Sequence, residues 1–248
     1  MNTVKAKLKA GETAIGTTAG STSDSRFLAN SGYDFVLFDT QHSPDEIKQL
    51  GGVVSAMRGA DAIPIIRVGE NRQDQICYAL DQGAKGIISP MINTPEMAKE
   101  MVSWCKYPHE GERSSAGPRG EWGEYKDYRE YMNIVNEHLL ILPMIETVQA
   151  LEGIDDILAV PGIDVLLVGP SDLSIALDVP LDYTSDTYIN ALGKIGEACN
   201  KAGVAAGMFF VPPGISPQQL GELGFRFYTL PWQGWATEGI KNGIAALR

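Results

Sequence analysis

Only three cysteines occur in 248 residues, Cys77, Cys105 and Cys199, an odd number with no CxxC spacing, and each falls in a stretch that reads as helix. That leaves no basis for a disulfide framework or a cysteine-rich metal site, and the thiols are read as reduced and buried. Long apolar runs are missing as well. None reaches the ~18 to 20 residues that a membrane-crossing helix needs. The opening MNTVKAKLKAGE has no apolar segment of the secretory kind, so the expected compartment is the cytoplasm. Positive charge is scarce: 20 Lys and Arg stand against 31 Asp and Glu, a formal charge of −11. A field of that sign repels nucleic acid and anionic lipid, and neither is expected as a partner.

What remains is ordinary globular composition, 44% apolar and 21% charged. A chain of this length buries roughly 70–75% of the surface it exposes when unfolded, enough for one substantial core. Short β-rich runs alternate with longer amphipathic ones. Eight strand candidates stand out: 13–18, 33–39, 62–68, 85–89, 139–146, 164–169, 204–211 and 225–230. Helical patterns between them cover 43–59, 71–83, 94–107, 147–160 and 185–203, several opening on Ser or Thr and closing on Gly. YDFVLFD, LLILPMIE and DVLLVG are nearly continuous apolar runs, which implies strands covered on both faces and hence a parallel sheet wrapped by helices. Eight such units without a composition break predict a TIM (β/α)8 barrel, one domain over 1–248. Two departures are expected: a short leading helix at 1–10, and an insertion at 107–138 between the fourth helix and fifth strand.

Reacting groups in such barrels come from the C-terminal strand ends and the loops behind them. That filter leaves Asp39 and His42 after strand 2, Arg67 ending strand 3, Glu146 closing strand 5 and Asp172 past strand 6. Glu146 and Asp172 would repel each other if nothing lay between them, and a shared divalent cation with oxygen ligands, Mg²⁺, Mn²⁺ or Co²⁺, resolves this. Taken singly, each acid reads first as a helix cap or first-turn carboxylate. Arg67 can hold a carboxylate or an enolate oxygen, or pair with a neighbouring acid. His42 lies three residues from Asp39, a spacing that lets the carboxylate orient the imidazole as a general base, although a solvent-facing loop histidine fits equally. No lysine sits inside a strand except Lys85, at the wrong end for imine chemistry.

With these residues in hand, the chain resembles the HpcH/HpaI family of metal-dependent class II pyruvate aldolases. The likeness runs through SGYDFVLFDTQHSP, IPIIRV, GAKGIISPMINTPEMAKE, ILPMIET, GIDVLLVGPSDLS and AGVAAGMFFVPP, and the pair IET with GPSDLS is the specific part. The resemblance implies Glu146 and Asp172 as metal ligands, Arg67 as the enolate stabiliser and His42 with Asp39 as the acid/base dyad. It implies a carboxylate cradle at Gly169 and Ser171, with Phe209 as a further substrate contact. A hexamer of dimers that exchange the C-terminal helix, with the site completed at a subunit interface, follows from the same likeness. The implied reaction is reversible cleavage of a 4-hydroxy-2-oxo acid to pyruvate or hydroxypyruvate and an aldehyde.

The chain also departs from that pattern. Gln41 precedes His42 where members commonly carry Glu, Met144 stands where a Gln often precedes the Ile-Glu pair, Thr17 and Thr18 replace a bulky residue near the end of the first strand, and TLPWQGWAT brings Trp232 and Trp235 to the last one. Arg113 and Arg119 in the insertion suit either a loop reaching an anionic substrate tail or a solvated loop paired with its own acids. Lysis of a CoA thioester and a non-catalytic barrel that binds a 2-oxo acid stand as the alternative functions.

Overall fold

The structure is a computed structural model that describes residues 2–248; Met1, the first residue of the expected leading helix, lies outside the described residues. Eight parallel strands close into a barrel in chain order: β1 (Ala14–Ala19), β2 (Phe35–Asp39), β3 (Ile63–Arg67), β4 (Gly86–Ser89), β5 (Leu140–Ile145), β6 (Val165–Val168), β7 (Ala205–Met208) and β8 (Phe225–Thr229). Alternation along each strand explains why the sequence showed unbroken apolar runs. Phe35, Leu37, Ile63, Ile65, Leu140, Leu142, Met144, Val165 and Leu167 fill the barrel interior. Their neighbours Val36, Phe38, Ile66, Ile141, Ile145, Leu166 and Val168 form the layer under the helices. Every residue of β3 to β7 is therefore buried, whereas β1 leaves Ile15 exposed. Inside, Phe35 and Phe227 stack with centroids 4.3 Å apart, and Gly16 leaves the room, because any side chain there would collide with the Phe35 ring.

Helix α1 (Thr3–Lys9) lies across the barrel floor, where Val4 and Leu8 join the interior cluster. Asn2 caps it and also donates to the carbonyl of Lys85 at 2.9 Å, tying the helix to the start of β4. After β1 comes α2 (Ser25–Ala29), and after β2 a 3-10 turn at Ile47–Gln49 followed by α3 (Gly51–Ala56). The continuous helix expected over 43–59 is thus broken. Gly51 and Gly52, poor interior helix formers, sit where the turn hands over to α3. Next come α4 (Gln73–Asp81) and α5 (Pro95–Cys105), the latter with Pro95 in its first turn and a Thr94 cap.

The insertion is not all loop. Its last 11 residues form α6 (Tyr128–His138), capped by Asp127, with Tyr131 and Val135 buried one turn apart. Behind β5 the run 147–160 divides at Gly153 into α7 (Val148–Glu152) and α8 (Ile154–Leu158). Behind β6, α9 (Pro170–Ala176) starts at once, with Gly169 at its N-cap and Pro170 in its first turn, and α10 (Asp186–Ala202) completes the crossover. Strand β7 ends at Met208 rather than at 211, although the Phe209 amide still reaches the Val168 carbonyl; the prolines that follow have no N–H to extend the ladder. Helix α11 (Pro217–Glu222) leads into β8, and α12 (Gln233–Ala245) ends the chain with no buried residue. Cys77, Cys105 and Cys199 all lie in helices as free thiols, the last two buried.

Candidate active site

The alternation that aims Phe35 and Leu37 inward carries on to Asp39. On β3 the same parity runs from Ile63 and Ile65 to Arg67, and on β5 from Met144 to Glu146. Three polar side chains thereby reach the C-terminal mouth of the barrel on strand ends otherwise made of core. Asp39 and Arg67 are also direct cross-strand neighbours in the β2–β3 ladder. Their side chains lock in a two-pronged ion pair: Arg67 Nε donates to Asp39 Oδ1 at 2.8 Å and Nη2 to Oδ2 at 2.6 Å. Phe209 lies under the guanidinium, 4.0 Å from Cζ to the ring centroid. Arg67 is 4% exposed, and its remaining nitrogen, Nη1, meets only the sulfur of Met144 at 3.9 Å. One strong donor at the mouth therefore lacks an oxygen partner.

This arrangement does not bring the Asp39 carboxylate onto the His42 ring, as the expected dyad would. The carboxylate is occupied by Arg67, and it meets His42 only through the backbone N–H, at 3.5 Å, alongside the Gln41 N–H at 2.9 Å. The His42 side chain is exposed at the rim. A planar fork from the adjacent strand outcompetes a neighbour three residues away because it offers two parallel charge-assisted bonds. Burial pushes the Asp39 carboxyl up, but the hydrogen bonds and charge of Arg67, with the two amides, outweigh it and hold Asp39 below the usual range.

Glu146 stands in the opposite condition. It is 2% exposed and has one hydrogen bond, from the Met91 N–H to Oε2 at 2.8 Å. Met91 presents that amide from a left-handed conformation, φ 56°, unusual for a non-glycine residue. Oε1 packs against Gly169, where any Cβ would overlap it. Burial raises the Glu146 carboxyl above its ordinary value and the charge of Asp172 raises it further; the Met91 amide, Arg67 and His42 act the other way without cancelling the rise. Asp172 is exposed in the first turn of α9. Among the described residues no cluster of three or more His, Cys, Asp or Glu side chains is placed to hold a metal ion. The pair Glu146 and Asp172 fits a cation in another way: a buried acid with a free lone-pair face beside a second acid is a two-carboxylate, all-oxygen donor set that suits a hard ion completing its shell from substrate and water.

The other sequence candidates divide. Ser171 is at the start of α9 with its hydroxyl 3.2 Å from that of Tyr183. Thr18 accepts the Trp232 indole N–H on its carbonyl at 3.2 Å, so the tryptophan braces the end of β1. Gln41 has its side-chain oxygen buried without a donor. Arg119 is exposed and its amide bonds Glu121, which lines a cavity with Ile63, Pro64 and Lys85 at the N-terminal strand ends. It is not brought to the mouth of its own barrel. Arg113 is 6% exposed and stacks 4.5 Å over Tyr107, a packed residue rather than a reaching one. Residue-type reasoning missed Met91, because a backbone amide has no side-chain signature, and it gave no sign that Phe209 also packs on the face of Arg67.

Residues 21–234 match the profile of the HpcH/HpaI aldolase/citrate lyase family. A curated relative, 2-keto-3-deoxy-L-rhamnonate aldolase of Klebsiella pneumoniae, is 35% identical over 221 residues, which is 88% of this chain and 83% of that protein. Among solved structures, an HpcH/HpaI aldolase/citrate lyase family protein from Burkholderia cenocepacia superposes with TM-score 0.87 at 26% identity, covering 100% of both chains. Citrate synthase SbnG superposes with TM-score 0.81 at 28% identity, covering 99% of this chain and 97% of the other.

Proposed function

The chain belongs to the HpcH/HpaI aldolase/citrate lyase family, a family of carbon–carbon lyases, and from that premise we propose that it cleaves a 4-hydroxy-2-oxo acid reversibly to pyruvate, or hydroxypyruvate, and an aldehyde. A 2-keto-3-deoxy sugar acid, the substrate class in the name of the Klebsiella relative, has this form: carbonyl at C2, methylene at C3, hydroxyl at C4. The observation that carries the reading is the Asp39–Arg67–Phe209 clamp, which holds a guanidinium rigidly with Nη1 open beside the buried Glu146.

Glu146 and Asp172 would hold a divalent cation, Mg²⁺, Mn²⁺ or Co²⁺, which would supply positive charge that favours the enolate over the ketone. Backbone N–H groups at Ser171 and Asp172 open α9 and have no partner within the helix, which leaves them for the substrate carboxylate. Gly169 keeps the approach to Glu146 clear. His42 at the rim takes the proton of the C4 hydroxyl. As the C3–C4 bond breaks, its electron pair passes to C3 and on to the C2 oxygen, where Nη1 of Arg67 donates to the developing charge. The aldehyde leaves, and C3 is reprotonated to the methyl of pyruvate. Because Arg67 is already fixed by its clamp, little reorganisation accompanies that charge development.

The likeness to citrate synthase SbnG favours a second reading, in which the same enolate attacks a different carbonyl in the condensing direction. Incubating Mn²⁺-loaded protein with a panel of 2-keto-3-deoxy acids, using Glu146→Gln as blank, tests both. Metal-dependent pyruvate release supports the aldolase, and its absence together with condensation of a 2-oxo acid supports the alternative.

Assembly enters the same proposal. All of α12 is unburied, with Trp235 55%, Ile240 63% and Ile244 46% exposed, as expected of a helix exchanged between dimer partners within a hexamer. Light scattering of the full chain against a 1–232 truncation tests this: the truncation is expected to fall to a smaller species. No helix among the described residues is long and apolar enough to cross a membrane.

A further inference from the structure

At the opposite end of the barrel the strands leave a cavity of about 470 Å³ between α1 and the starts of β5 to β8. Its charged lining is Lys5, Lys9, Lys106 and Arg226 against Glu110, Glu137 and Asp164. Four cations facing three acids is an inversion in a protein of net charge −11. Two of the cations are spent: Lys5 pairs with Asp164 at 3.0 Å and Lys106 with Glu110 at 2.7 Å. Glu137 is mostly exposed and reaches only His138 at 4.0 Å. Lys9 and Arg226 have no carboxylate within ion-pairing distance among the described residues.

Arg226 owes its position to an irregularity in the sheet. On β7, Ala206 and Gly207 are adjacent, but their β8 partners are Phe225 and Phe227, so Arg226 is the extra residue of a bulge. Bulges recur where a strand must re-aim a side chain. Here the bulge breaks the alternation, so that Phe225 packs under the helices and Phe227, two residues on, packs in the barrel, and Arg226 between them lines the floor cavity. Its Nε is buried with no acceptor. A buried donor without a partner is rare in folded proteins, and it leaves the Arg226 guanidinium with hydrogen-bonding capacity that the protein itself does not use. A guanidinium fork and a free ammonium lining one cavity match a doubly charged oxyanion in charge and in donor type.

We propose that the barrel floor is a second ligand site, which takes a small doubly negative oxyanion, a phosphate or a dicarboxylate, on Arg226 and Lys9. The site is independent of the reaction at the mouth, and its occupant would fasten α1 to the strands beneath it.

Calorimetric titration of inorganic phosphate into the full-length protein without added divalent metal is the test. Wild type and Arg67→Ala, which lacks the cation of the mouth, are expected to bind one phosphate per chain with equal affinity. Arg226→Gln should weaken binding by at least about tenfold and Lys9→Met by less, in line with the loss of charge-assisted hydrogen bonds. Succinate titrated against bound phosphate separates the two sources: displacement admits dicarboxylates to the site, and failure to displace restricts it to phosphate. Absence of saturable binding, unchanged affinity in Arg226→Gln, or loss in Arg67→Ala would each overturn the proposal. Should Arg226→Gln not fold, Lys9→Met, altered on an exposed helix position, decides: affinity equal to wild type counts against the site.

Discussion

The two walls of the barrel mouth each present a carboxylate at the end of an apolar strand, and their circumstances are opposite. On the β2–β3 wall Asp39 receives two bonds from Arg67 and two backbone amides, and its carboxyl lies below the ordinary 3.8. On the β5–β6 wall Glu146 is more deeply buried, receives a single amide, faces Asp172, and lies above the ordinary 4.5. One wall is finished by its own side chains. The other has the electrostatics of a site that a cation completes, since burying an acid with so few donors is costly unless something positive joins it.

The contrast has a signature in pH. For Asp39, stability is present above the unfolded value and is lost as pH falls through the depressed folded one. For Glu146 the folded state keeps its proton longer, so stability is present below the ordinary Glu value and is lost as pH rises through the raised folded one. The largest expected effect follows from Glu146→Gln. Turnover should fall by at least about 10²–10³-fold and the Mn²⁺ paramagnetic resonance signature of bound ion should disappear. The metal-free variant should also lose the decline in stability above the ordinary Glu value that is expected of the parent, read from urea midpoints along a pH series. A variant that keeps that slope would mean the buried acid at fault is another.

Gly169→Ala comes next. The added methyl cannot coexist with Oε1 of Glu146 where that oxygen now lies, so the carboxylate must turn away. Displacing one group at a reacting centre by about 1 Å costs on the order of 10²-fold. Retained Mn²⁺ binding with activity lost would show that Gly169 serves the substrate approach; loss of both would place its role in the ligand geometry.

Asp39→Asn attacks the finished wall. Arg67 remains buried and charged with a neutral partner, a change expected to destabilise the fold by about 2–3 kcal/mol, toward the low side for a broken buried pair because Asp39 keeps some solvent contact. Turnover should fall by roughly tenfold to a hundredfold through loss of aim, while Mn²⁺ affinity stays near that of the parent. A matching loss of Mn²⁺ affinity would show that the two walls are not separable. The variant also bears on the dyad that local spacing suggested: a base oriented by Asp39 would show a shifted alkaline or acid limb in the pH–rate profile, and a clamp would lower the plateau instead.

How much of this was legible beforehand depended on whether the signal lay in side-chain chemistry along one strand. Asp39, Arg67 and Glu146 each interrupt an apolar run at a strand end, and strand parity alone sends them to the mouth. The barrel was legible for the same reason, as eight apolar runs separated by helical patterns. Partnership across strands was not, because the register that sets Asp39 opposite Arg67 is a property of the closed sheet. The Met91 amide and the bulge at Arg226 are backbone events with no residue-type mark. The helix breaks at Gly51 and Gly153 and the helical end of the insertion depended on caps and tertiary burial that a periodicity count weighs too lightly.

The smallest expected effect tests whether the finished wall is held from one side or two. Phe209 lies with its ring 4.0 Å from Cζ of Arg67, and a cation over an aromatic face contributes about 1 kcal/mol. Asp39 would still grip the guanidinium edge in Phe209→Leu, so kcat/KM should drop only about fivefold, and Phe209→Trp, which restores a π face, should recover most of it. The split between constants carries the argument. A ring that acts through Arg67 lowers kcat and leaves KM nearly unchanged, because the guanidinium works hardest on charge that develops after binding. A ring that touches the substrate itself raises KM, and Phe209→Leu would then outrank Asp39→Asn for bulky aldehydes while matching the parent for small ones.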